Sequence, residues 1–344
     1  MTALRASAIT VRFGGLVAVQ DVTFTVGEKQ IYAVIGPNGA GKTTLFNAMT
    51  GIYEPTSGEV QFAGRSVCLT FSTRVAVRIA LSALACALSS LIALNVQDLW
   101  QATIIDNYQY AQPFPWVESA HDCFDALVGL MRSGGAWTAI LGGVAGGGAA
   151  AVLWWRSRRT PDLIARAGVA RTFQNIRLFN ELSLVQNVLV GMDHRMRAGF
   201  WSALMRLPRF HDERKHFHSE SVELLTFVGL ADRADYAAGS LPYGLRRRLE
   251  IARALAAKPN IILLDEPAAG MNPSEIVDLM TLIRRVRDAG TTVVLIEHHM
   301  RLVMGVSDRI LVLQYGRQIA EGTPAEIRAN PACVEAYLGT ESHG

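Results

Sequence analysis

Short segments near the N-terminus alternate between apolar and polar side chains. They cover residues 9–13, 22–26 and 59–62. Strict alternation predicts β-strands that place one face against a core and the other toward solvent. We therefore expect a sheet in the N-terminal part of the chain.

Three other runs are almost wholly apolar, at residues 31–35, 261–264 and 292–296. Such runs are typical of parallel strands that are buried on both faces. Residues 273–289, between the last two runs, have helical spacing and end at Gly290. This alternation of strand and helix predicts a parallel sheet covered by helices.

A glycine-rich segment follows the first apolar run and precedes a predicted helix that starts near Lys42. Strand, loop and helix in this order predict a phosphate-binding loop, whose N–H groups point at the β- and γ-phosphates. The helix N-terminus adds partial positive charge there. We expect Lys42 to reach the phosphates and the Thr43 hydroxyl to bind Mg²⁺. The nucleotide-contacting residues predicted in this segment are Gly36, Asn38, Gly39, Ala40, Gly41, Lys42, Thr43 and Thr44.

Two carboxylates, Asp265 and Glu266, stand at the end of the second apolar run. A carboxylate at a strand end can hold Mg²⁺ through water, and we assign that role to Asp265. Glu266 is then placed to polarise the attacking water as a general base. Two acids on a solvent-facing loop are the alternative, which the phosphate-binding loop makes less favoured.

Gln174 and His298 carry no signal on their own. A glutamine in Arg-Thr-Phe-Gln-Asn is ordinarily a polar surface residue, and a lone histidine is ordinarily structural. Beside a γ-phosphate, a histidine could instead donate a hydrogen bond to developing charge. The residues alone do not decide between His298 and His299.

Taken in order, these segments and Leu241-Pro242-Tyr243-Gly244 resemble the ATPase subunits of ABC transporters. Within that family the chain looks most like the branched-chain (hydrophobic) amino-acid uptake type. The stretches that carry this likeness are residues 12–16, 169–179, 247–253 and 336–339. The resemblance covers residues 1–67 and 160–344.

The resemblance implies an α/β P-loop NTPase fold of the ABC ATPase type, with a RecA-like core, an antiparallel β subdomain and a helical subdomain. It implies that Phe13 stacks on adenine and that Tyr243 and Gly244 contact a nucleotide held by a second subunit. Gln174 and His298 become the γ-phosphate sensors, with Gln174 also on the metal. Residues 268–273 take the place of the loop that crosses the dimer.

By the same resemblance, two ATPase subunits, identical or homologous, close head-to-tail around two ATP molecules with Mg²⁺. Closure drives two membrane permease subunits, which receive cargo from a substrate-binding protein. A short permease helix would enter a groove around Gln174 and residues 176–179. Branched-chain or other hydrophobic amino acids are the expected cargo.

Other functions stay open at this point. The same ATPase could serve urea, short amides or a lipid-linked exporter, or act as a low-turnover, membrane-tethered regulator. ABC ATPases of DNA repair or translation are disfavoured, because the sequence has neither a second cassette nor a long coiled-coil insert.

The segment at residues 241–245 takes the place of the family's signature, Leu-Ser-Gly-Gly-Gln, and is called the signature segment. It reads Leu-Pro-Tyr-Gly-Leu and so departs from that pattern. Pro242 replaces the serine and lacks a backbone N–H. Leu245 and Arg246 stand where polar residues are usual. We expect the isolated chain to hydrolyse ATP slowly and to need a second, different ATPase subunit. The run of arginines at residues 246–248 is expected to pack and pair at the start of a helix.

Composition then points to an insertion. The net charge of +3 gives no general case for nucleic acid, and 18% charged residues is low for a soluble ATPase. The four cysteines are scattered and predict neither a metal site nor a disulfide framework. Residues 68–159 interrupt the family's pattern. Within them, residues 79–96 contain no charge, and residues 75–96 contain only Arg78. Residues 136–155 contain no charge either, and each stretch is near the length that crosses a bilayer.

Flanking charge predicts the topology of this insert. The stretches are flanked by Arg65, Arg74 and Arg78 before the first and by Arg156, Arg158 and Arg159 after the second. The segment between them is acidic, with Asp98, Asp106, Glu118, Asp122 and Asp125 against Arg132. This is the positive-inside pattern of a hairpin with both ends in the cytoplasm.

Small residues predict how the two stretches meet. Glycine pairs four residues apart, Gly142 with Gly146 and Gly143 with Gly147, allow close packing on the first stretch. We expect residues 75–155 to anchor the subunit at the cytoplasmic face of the plasma membrane. A soluble helical hairpin, buried on the ATPase or at a dimer interface, is the alternative.

Overall fold

The computed structural model describes residues 2–66, 73–108, 110, 114–132, 136–156, 161–196, 205 and 208–338. Two compact units make up the chain: Met1–Val67 with Thr160–Gly344, and Cys68–Arg159. The residues on either side of these boundaries, together with Arg158, Arg159 and Gly339 of the sequence analysis, lie outside the described residues.

The strands of the first unit form two sheets within the described residues. They are β1 (Thr2–Phe13), β2 (Leu16–Gly27), β3 (Ile31–Ile35), β4 (Ser57–Phe62), β5 (Arg65–Ser66), β6 (Val169–Arg171), β7 (Ile261–Asp265), β8 (Thr292–Ile296), β9 (Arg309–Gln314) and β10 (Arg317–Gly322). One sheet has the order β2-β1-β4-β5 and is antiparallel. The other has the order β10-β9-β3-β8-β7-β6, with β9–β10 antiparallel and the other pairs parallel.

Thirteen α-helices are found among the described residues. They are α1 (Lys42–Met49), α2 (Thr73–Leu94), α3 (Val96–Trp100), α4 (Trp116–Arg132), α5 (Ala136–Arg156), α6 (Pro161–Arg166), α7 (Leu184–Gly191), α8 (Pro208–Val228), α9 (Tyr243–Leu255), α10 (Pro273–Asp288), α11 (Met300–Val306), α12 (Pro324–Ala329) and α13 (Pro331–Leu338). Short 3₁₀ turns follow at Asp193–Arg195, Ala231–Arg233 and Ala238–Ser240. Helices α2 to α5 belong to the second unit.

The apolar pattern correctly predicted six of the ten described strands, and β5, β6, β9 and β10 were not predicted. Every residue of β3, β7 and β8 is buried, as expected for central parallel strands. The alternating segments became β1, β2 and β4 of the antiparallel sheet. Because the three parallel strands are adjacent, their carboxyl ends bring the phosphate loop, Asp265 and the segment after Ile296 to one edge.

Helix α10 shows why its bounds were predictable from sequence. Asn272 caps its N-terminus by accepting from Glu275 N, and the Glu275 side chain accepts from Asn272 N, which forms a capping box. Pro273 occupies the first turn. The chain leaves the helix through Gly290, at φ 104°.

A shielded ion pair ties the helical part of the first unit together. Glu220 on α8 accepts from both terminal nitrogens of Arg195, at 2.7 and 2.8 Å, and Lys258 lies 3.0 Å away. Arg195 also donates to the Ala256 carbonyl just after α9. The hydrogen bonds from Arg195 lower the pKa of Glu220 to about 2. The carboxylate therefore stays ionised and joins α8 to the ends of α7 and α9 at neutral pH.

In the second unit, α2 and α5 pack side by side and antiparallel. A Cβ on Gly142 would meet the Cys86 carbonyl, and one on Gly146 would meet Cys86 and the Ser82 carbonyl. Contact therefore moves back along α2 as α5 advances. The glycine faces expected from the sequence are the faces that meet, and they let the two backbones approach closely.

The outward faces of this pair are apolar. Helices Thr73–Leu94 and Ala136–Trp155 have mean hydropathies of 2.1 and 1.5 and are long and apolar enough to cross a membrane. The exposed side chains on α2 include Val77, Leu81, Leu84, Leu88 and Ile92. Such a large exposed apolar surface is rare on a soluble protein.

The segment between α2 and α5 differs from the expected acidic loop. It contains α3, a π-helical turn at Gln101–Ile105, and the 17-residue helix α4. The insert is therefore more than a two-helix segment. The sequence analysis used the acids of α4 only as charges and overlooked that they share an amphipathic helix.

Close packing of α5 on α2 predicts unequal effects of two glycine substitutions. In Gly146→Ala the new Cβ would lie 2.5 Å from the Cys86 Cβ and Sγ, whereas in Gly148→Ala it would meet nothing within 4 Å. We expect Gly146→Ala to destabilise the hairpin by about 1–3 kcal/mol. Gly148→Ala should be neutral or stabilising, because alanine favours helix by about 0.5–1 kcal/mol over glycine.

Hydrogen exchange of peptides from residues 136–156, in detergent-solubilised full-length protein, measures this difference. Exchange should be faster in Gly146→Ala than in wild type and no faster in Gly148→Ala. Equal exchange in both variants would contradict the packing described here.

Candidate nucleotide-binding site

The glycine-rich loop joins β3 to α1, as the sequence predicted. Gly41 caps α1 at φ 91°, a conformation that favours glycine, and a Cβ there would lie 2.5 Å from the Ala18 carbonyl. The helix therefore begins at Lys42 with its first N–H groups facing the loop. A helix N-terminus of this kind, wrapped by a glycine-rich loop, is suited to bind phosphate.

Lys42 lies at the centre of the loop and is buried. Its ammonium group donates to the carbonyls of Gly36, at 2.8 Å, and Pro37, at 3.0 Å. Burial lowers the pKa of Lys42, while Glu266 and Asp265 oppose that shift. The lysine charge is thus held inside the loop by backbone oxygens, where a phosphate could replace them.

A cleft opens along the loop. It is lined by Phe13, Leu16, Val17, Ala18, the loop residues Asn38, Gly39, Ala40, Gly41, Lys42, Thr43 and Thr44, and by Glu266 and Tyr315. Phe13 is half-exposed and meets Tyr53 edge-on, with ring centroids 5.1 Å apart. The aromatic expected to stack on adenine is therefore available at the cleft wall.

Tyr315 is a cleft residue that the sequence analysis missed. It lies in the turn between β9 and β10, is 85% exposed and has a φ of 47°. Strand β9 pairs with β3, which places this turn beside the phosphate loop. No local signal marks it, because a Tyr-Gly turn is an ordinary hairpin connection.

Asp265 is held by a cation that the sequence analysis did not identify. Arg171 Nη2 donates to Asp265 Oδ2 at 2.7 Å, and both side chains are almost fully buried. The Nη1 of Arg171 donates to Asn47 Oδ1 on α1, at 2.7 Å, and to Thr50 Oγ1 just after that helix, at 2.9 Å. The arginine therefore fixes the carboxylate to the helix that follows the phosphate loop.

Gln174, Glu266 and His298 come together at the strand ends. The Gln174 Nε2 donates to Glu266 Oε2 at 2.9 Å. His298 Nδ1 lies 3.9 Å from Glu266 Oε1, which is too long for a hydrogen bond, and the His298 side chain is 55% exposed. Glu266 takes a φ of 44° and its N–H donates to the Ile296 carbonyl. The three residues thus form one polar cluster beside the cleft.

Glu297 is a buried acceptor that the sequence analysis passed over. Its side chain is fully buried and accepts from Ala268 N at 2.8 Å, His298 N at 3.0 Å and His299 N at 3.1 Å. Three N–H donors satisfy the buried charge. Glu297 thereby ties the loop after β7 to the loop after β8, which carries His298.

Tyr243 and Gly244 lie elsewhere in the chain. They begin α9, after Pro242 at the N-cap, and neither is among the described residues that line the cleft. A Cβ on Gly244 would lie 2.5 Å from Glu275 Oε1, so the signature segment packs against the start of α10. This chain does not bring its signature segment to its own phosphate loop.

The three arginines after the signature pair within the chain, as predicted. Arg246 donates to the carbonyls of residues 239 and 241, Arg247 pairs with Glu250, and Arg248 pairs with Asp278. Their contacts therefore stabilise α9 and the segments packed against it.

A mostly apolar groove lies beside the Gln174 segment, which is residues 171–175. Its lining includes Ile164, Val169, Phe173, Val190 and Glu250. The residues expected to form a docking groove, 176–179, are not part of this lining. This groove reaches Phe173, next to Gln174, and the docking groove expected around Gln174 and residues 176–179 stays a prediction.

Family comparison settles what this arrangement belongs to. The ABC transporter family matches residues 19–118 and 154–269. A second family, described as branched-chain amino acid ATP-binding cassette transporter, matches residues 317–343. This chain belongs to the ABC transporter family. As the ATPase subunit of an ABC transporter, the chain binds and hydrolyses ATP.

Curated relatives of this ABC ATPase are similar over nearly the whole chain. One is the high-affinity branched-chain amino acid transport ATP-binding protein BraF of Pseudomonas aeruginosa, 35% identical over 98% of this chain and 97% of the relative. Another is LivG of Escherichia coli (strain K12), of the same description, 34% identical over the same shares of both chains.

A solved structure confirms the fold of this ABC ATPase. The ADP conformation of the ATP-binding cassette MJ1267 superimposes with a TM-score of 0.64 at 22% identity, covering 98% of this chain and 99% of that one. The expected P-loop fold with parallel core, antiparallel sheet and helical part is therefore correct.

Proposed function

We propose that this ABC ATPase drives the uptake of branched-chain or other hydrophobic amino acids. The observation that carries the proposal is the similarity to BraF and LivG over 98% of the chain. It would work with a second ATPase subunit, identical or homologous, and with two membrane permease subunits at the inner membrane. A substrate-binding protein would deliver the cargo to the permease.

The geometry supports specific roles in hydrolysis. Lys42 binds the β- and γ-phosphates in place of the two loop carbonyls it now contacts. Water attacks the γ-phosphorus, Glu266 accepts its proton, and the bond to the ADP oxygen breaks. Gln174 orients Glu266, and His298 donates a hydrogen bond to the charge that develops on the γ-phosphate.

Oxygen donors at the cleft suit Mg²⁺, which prefers hydroxyl, carboxylate and amide ligands. Thr43 is exposed toward the cleft, and Asp265 and Gln174 lie at the adjacent strand ends. We assign these three residues to the metal, with Asp265 acting through water. Bound Mg²⁺ would neutralise phosphate charge during transfer.

The separation of the signature from the cleft supports a composite site. Tyr243 and Gly244 would contact the nucleotide of the second subunit, and Phe13 would stack on the adenine of this chain's own nucleotide. Pro242 offers neither a hydroxyl nor an N–H to that partner's γ-phosphate. Slow hydrolysis by the isolated chain, relieved by a different ATPase subunit, follows from this loss.

The second unit is proposed to be a membrane hairpin with both ends in the cytoplasm. Its support is the exposed apolar surface of α2 and α5, their glycine packing, and the flanking arginines. It would tether the subunit or dock it beside the permease, placing the acidic segment around α4 on the outer side.

The cargo is tested by uptake in the source organism. Deleting the gene should lower uptake of radiolabelled leucine, isoleucine and valine, and the wild-type gene should restore it, whereas glutamate uptake should not change. Unchanged uptake of all three amino acids, with a transport defect for urea or short amides, would contradict the proposed cargo.

The catalytic role of Glu266 predicts a sharp effect of Glu266→Gln. The amide keeps the side-chain size but cannot accept the proton, so kcat should fall by about 10²–10⁴-fold while ATP is still bound. The matched control is Glu28→Gln, at an exposed glutamate outside the cleft lining. Phosphate release and nucleotide binding measure the two properties. Wild-type turnover in Glu266→Gln would remove Glu266 as the base.

Thiol labelling tests the topology of the insert. In a chain whose native cysteines are replaced by serine, Asp125→Cys places an exposed thiol on α4, and Asp232→Cys places one on the ATPase unit. A membrane-impermeant reagent, applied to cells with a permeabilised outer membrane, should label the first. It should label the second only after lysis. Labelling of both only after lysis would make the insert a cytoplasmic module.

A further inference from the structure

A fully buried arginine on α9 binds the backbone of the Gln174 segment. Arg247 Nη1 donates to the Phe173 carbonyl at 2.8 Å and to Glu250 Oε2 at 2.6 Å. Its Nη2 donates to the Gln174 carbonyl at 2.9 Å. Two consecutive carbonyls of this segment are therefore held by one guanidinium group, whose rigid fork of donors can bind both at once.

Glu250 completes the contact from the same helix. It is buried beside Arg247, and its Oε1 accepts from Phe173 N at 3.2 Å. The N–H and the carbonyl of Phe173 are thus both bound by the pair. Phe173 and Gln174 lie beyond the end of β6, so these side chains supply hydrogen bonds that a strand would otherwise receive from its neighbour.

The segment held by Arg247 and Glu250 carries Gln174, a member of the polar cluster beside the cleft. Gln174 donates to Glu266 at 2.9 Å. The pair sits in the first two turns of α9, which begins with Tyr243 and Gly244. One rigid helix therefore has the signature at its start and, within two turns, the two residues that hold the Gln174 backbone.

We propose that Arg247 and Glu250 are a positioning pair that sets Gln174, and through it Glu266, according to the placement of the signature end of α9. A nucleotide bound by the partner subunit, which contacts the signature segment, would thereby adjust the base of this chain's own site. The inference rests on the proposed role of Glu266 and adds to it the route by which the two sites communicate.

Burial of this pair points to a positioning role. A buried ion pair is often no more stabilising than apolar side chains of similar volume, because desolvation offsets the attraction. Loss of the charges with the volume retained should therefore spare the fold. The three hydrogen bonds to the backbone of residues 173 and 174 would nevertheless be lost.

Three variants of the full-length protein in detergent test the proposal. Arg247→Lys keeps the charge but loses the two-pronged contact. The double variant Arg247→Met with Glu250→Leu removes both charges and keeps the packing. The matched control is Arg248→Gln, which removes the neighbouring ion pair of the same helix, to Asp278, and has no contact with the Gln174 segment.

Turnover per ATP-binding site, with KM and thermal stability, gives the decisive comparison. In Arg247→Lys and in the double variant we expect kcat to fall about tenfold or more, because a positioned base contributes about 10²–10⁴-fold. KM for ATP and the unfolding midpoint should stay near wild type. Hydrogen exchange of a peptide spanning residues 172–175 should become faster. The control should match wild type in all four measurements.

A folded double variant with wild-type kcat would overturn the proposal, as would a kcat loss fully accounted for by a smaller fraction of ATP-binding protein. If one of the two, Arg247→Lys or the double variant, does not fold, the remaining variant still tests the proposal. Hydrogen exchange at residues 172–175 that is slower than, or equal to, that of wild type would overturn it. Glu266→Gln measured in parallel separates the two hypotheses. Turnover retained by Glu266→Gln defeats the assigned base itself, whereas an inactive Glu266→Gln beside fully active Arg247 variants defeats only the positioning pair.

Discussion

A charge taken out of water must be paired or hydrogen-bonded, and at this site that requirement decides which loops meet. Four buried charges satisfy it through four different segments. Lys42 contacts the carbonyls of its own loop, Asp265 pairs with Arg171 of the neighbouring strand, and Arg247 binds the Gln174 backbone. Glu297 accepts N–H groups from the loops after β7 and β8. The contacts of Asp265, Arg247 and Glu297 each join two segments that are distant in sequence, whereas Lys42 stabilises its own loop.

The inserted unit shows the opposite arrangement, because it exposes apolar side chains where the ATPase unit buries charged ones. Its outward surface on α2 and α5 is apolar and nearly free of charge, and its inward contact consists of glycines against small residues. In water such a surface would favour aggregation, whereas in a lipid bilayer it needs no partner and close backbone packing supplies the helix contact. The proposed membrane location would place the insert and the ATPase unit in different solvents, and the apolar helices α2 and α5 account for the unusual apolarity of the chain.

Local spacing and periodicity were enough to predict six strands and helix α10, whereas the fold class was implied by the resemblance to ABC ATPases. The central strands, α10, the phosphate loop and the strand-end carboxylates all follow from residues close together in sequence. The long-range partners could not be predicted, because Arg171 and Asp265 are 94 residues apart and Arg247 and Phe173 are 74 apart. The local sequence around one residue of such a pair does not indicate which distant residue is its partner. Helix α4 was overlooked because its acids were considered as topology signals alone.

Helix α9 is proposed to set the position of the proposed base, Glu266, through Gln174. A double-mutant cycle on kcat tests it most directly, using Gln174→Ala, Arg247→Lys and the combined variant. If Arg247 acts through Gln174, Arg247→Lys should cause no further loss once Gln174 is alanine. Independent effects that multiply in the combined variant would contradict the account, because Arg247 would then influence turnover by some other route.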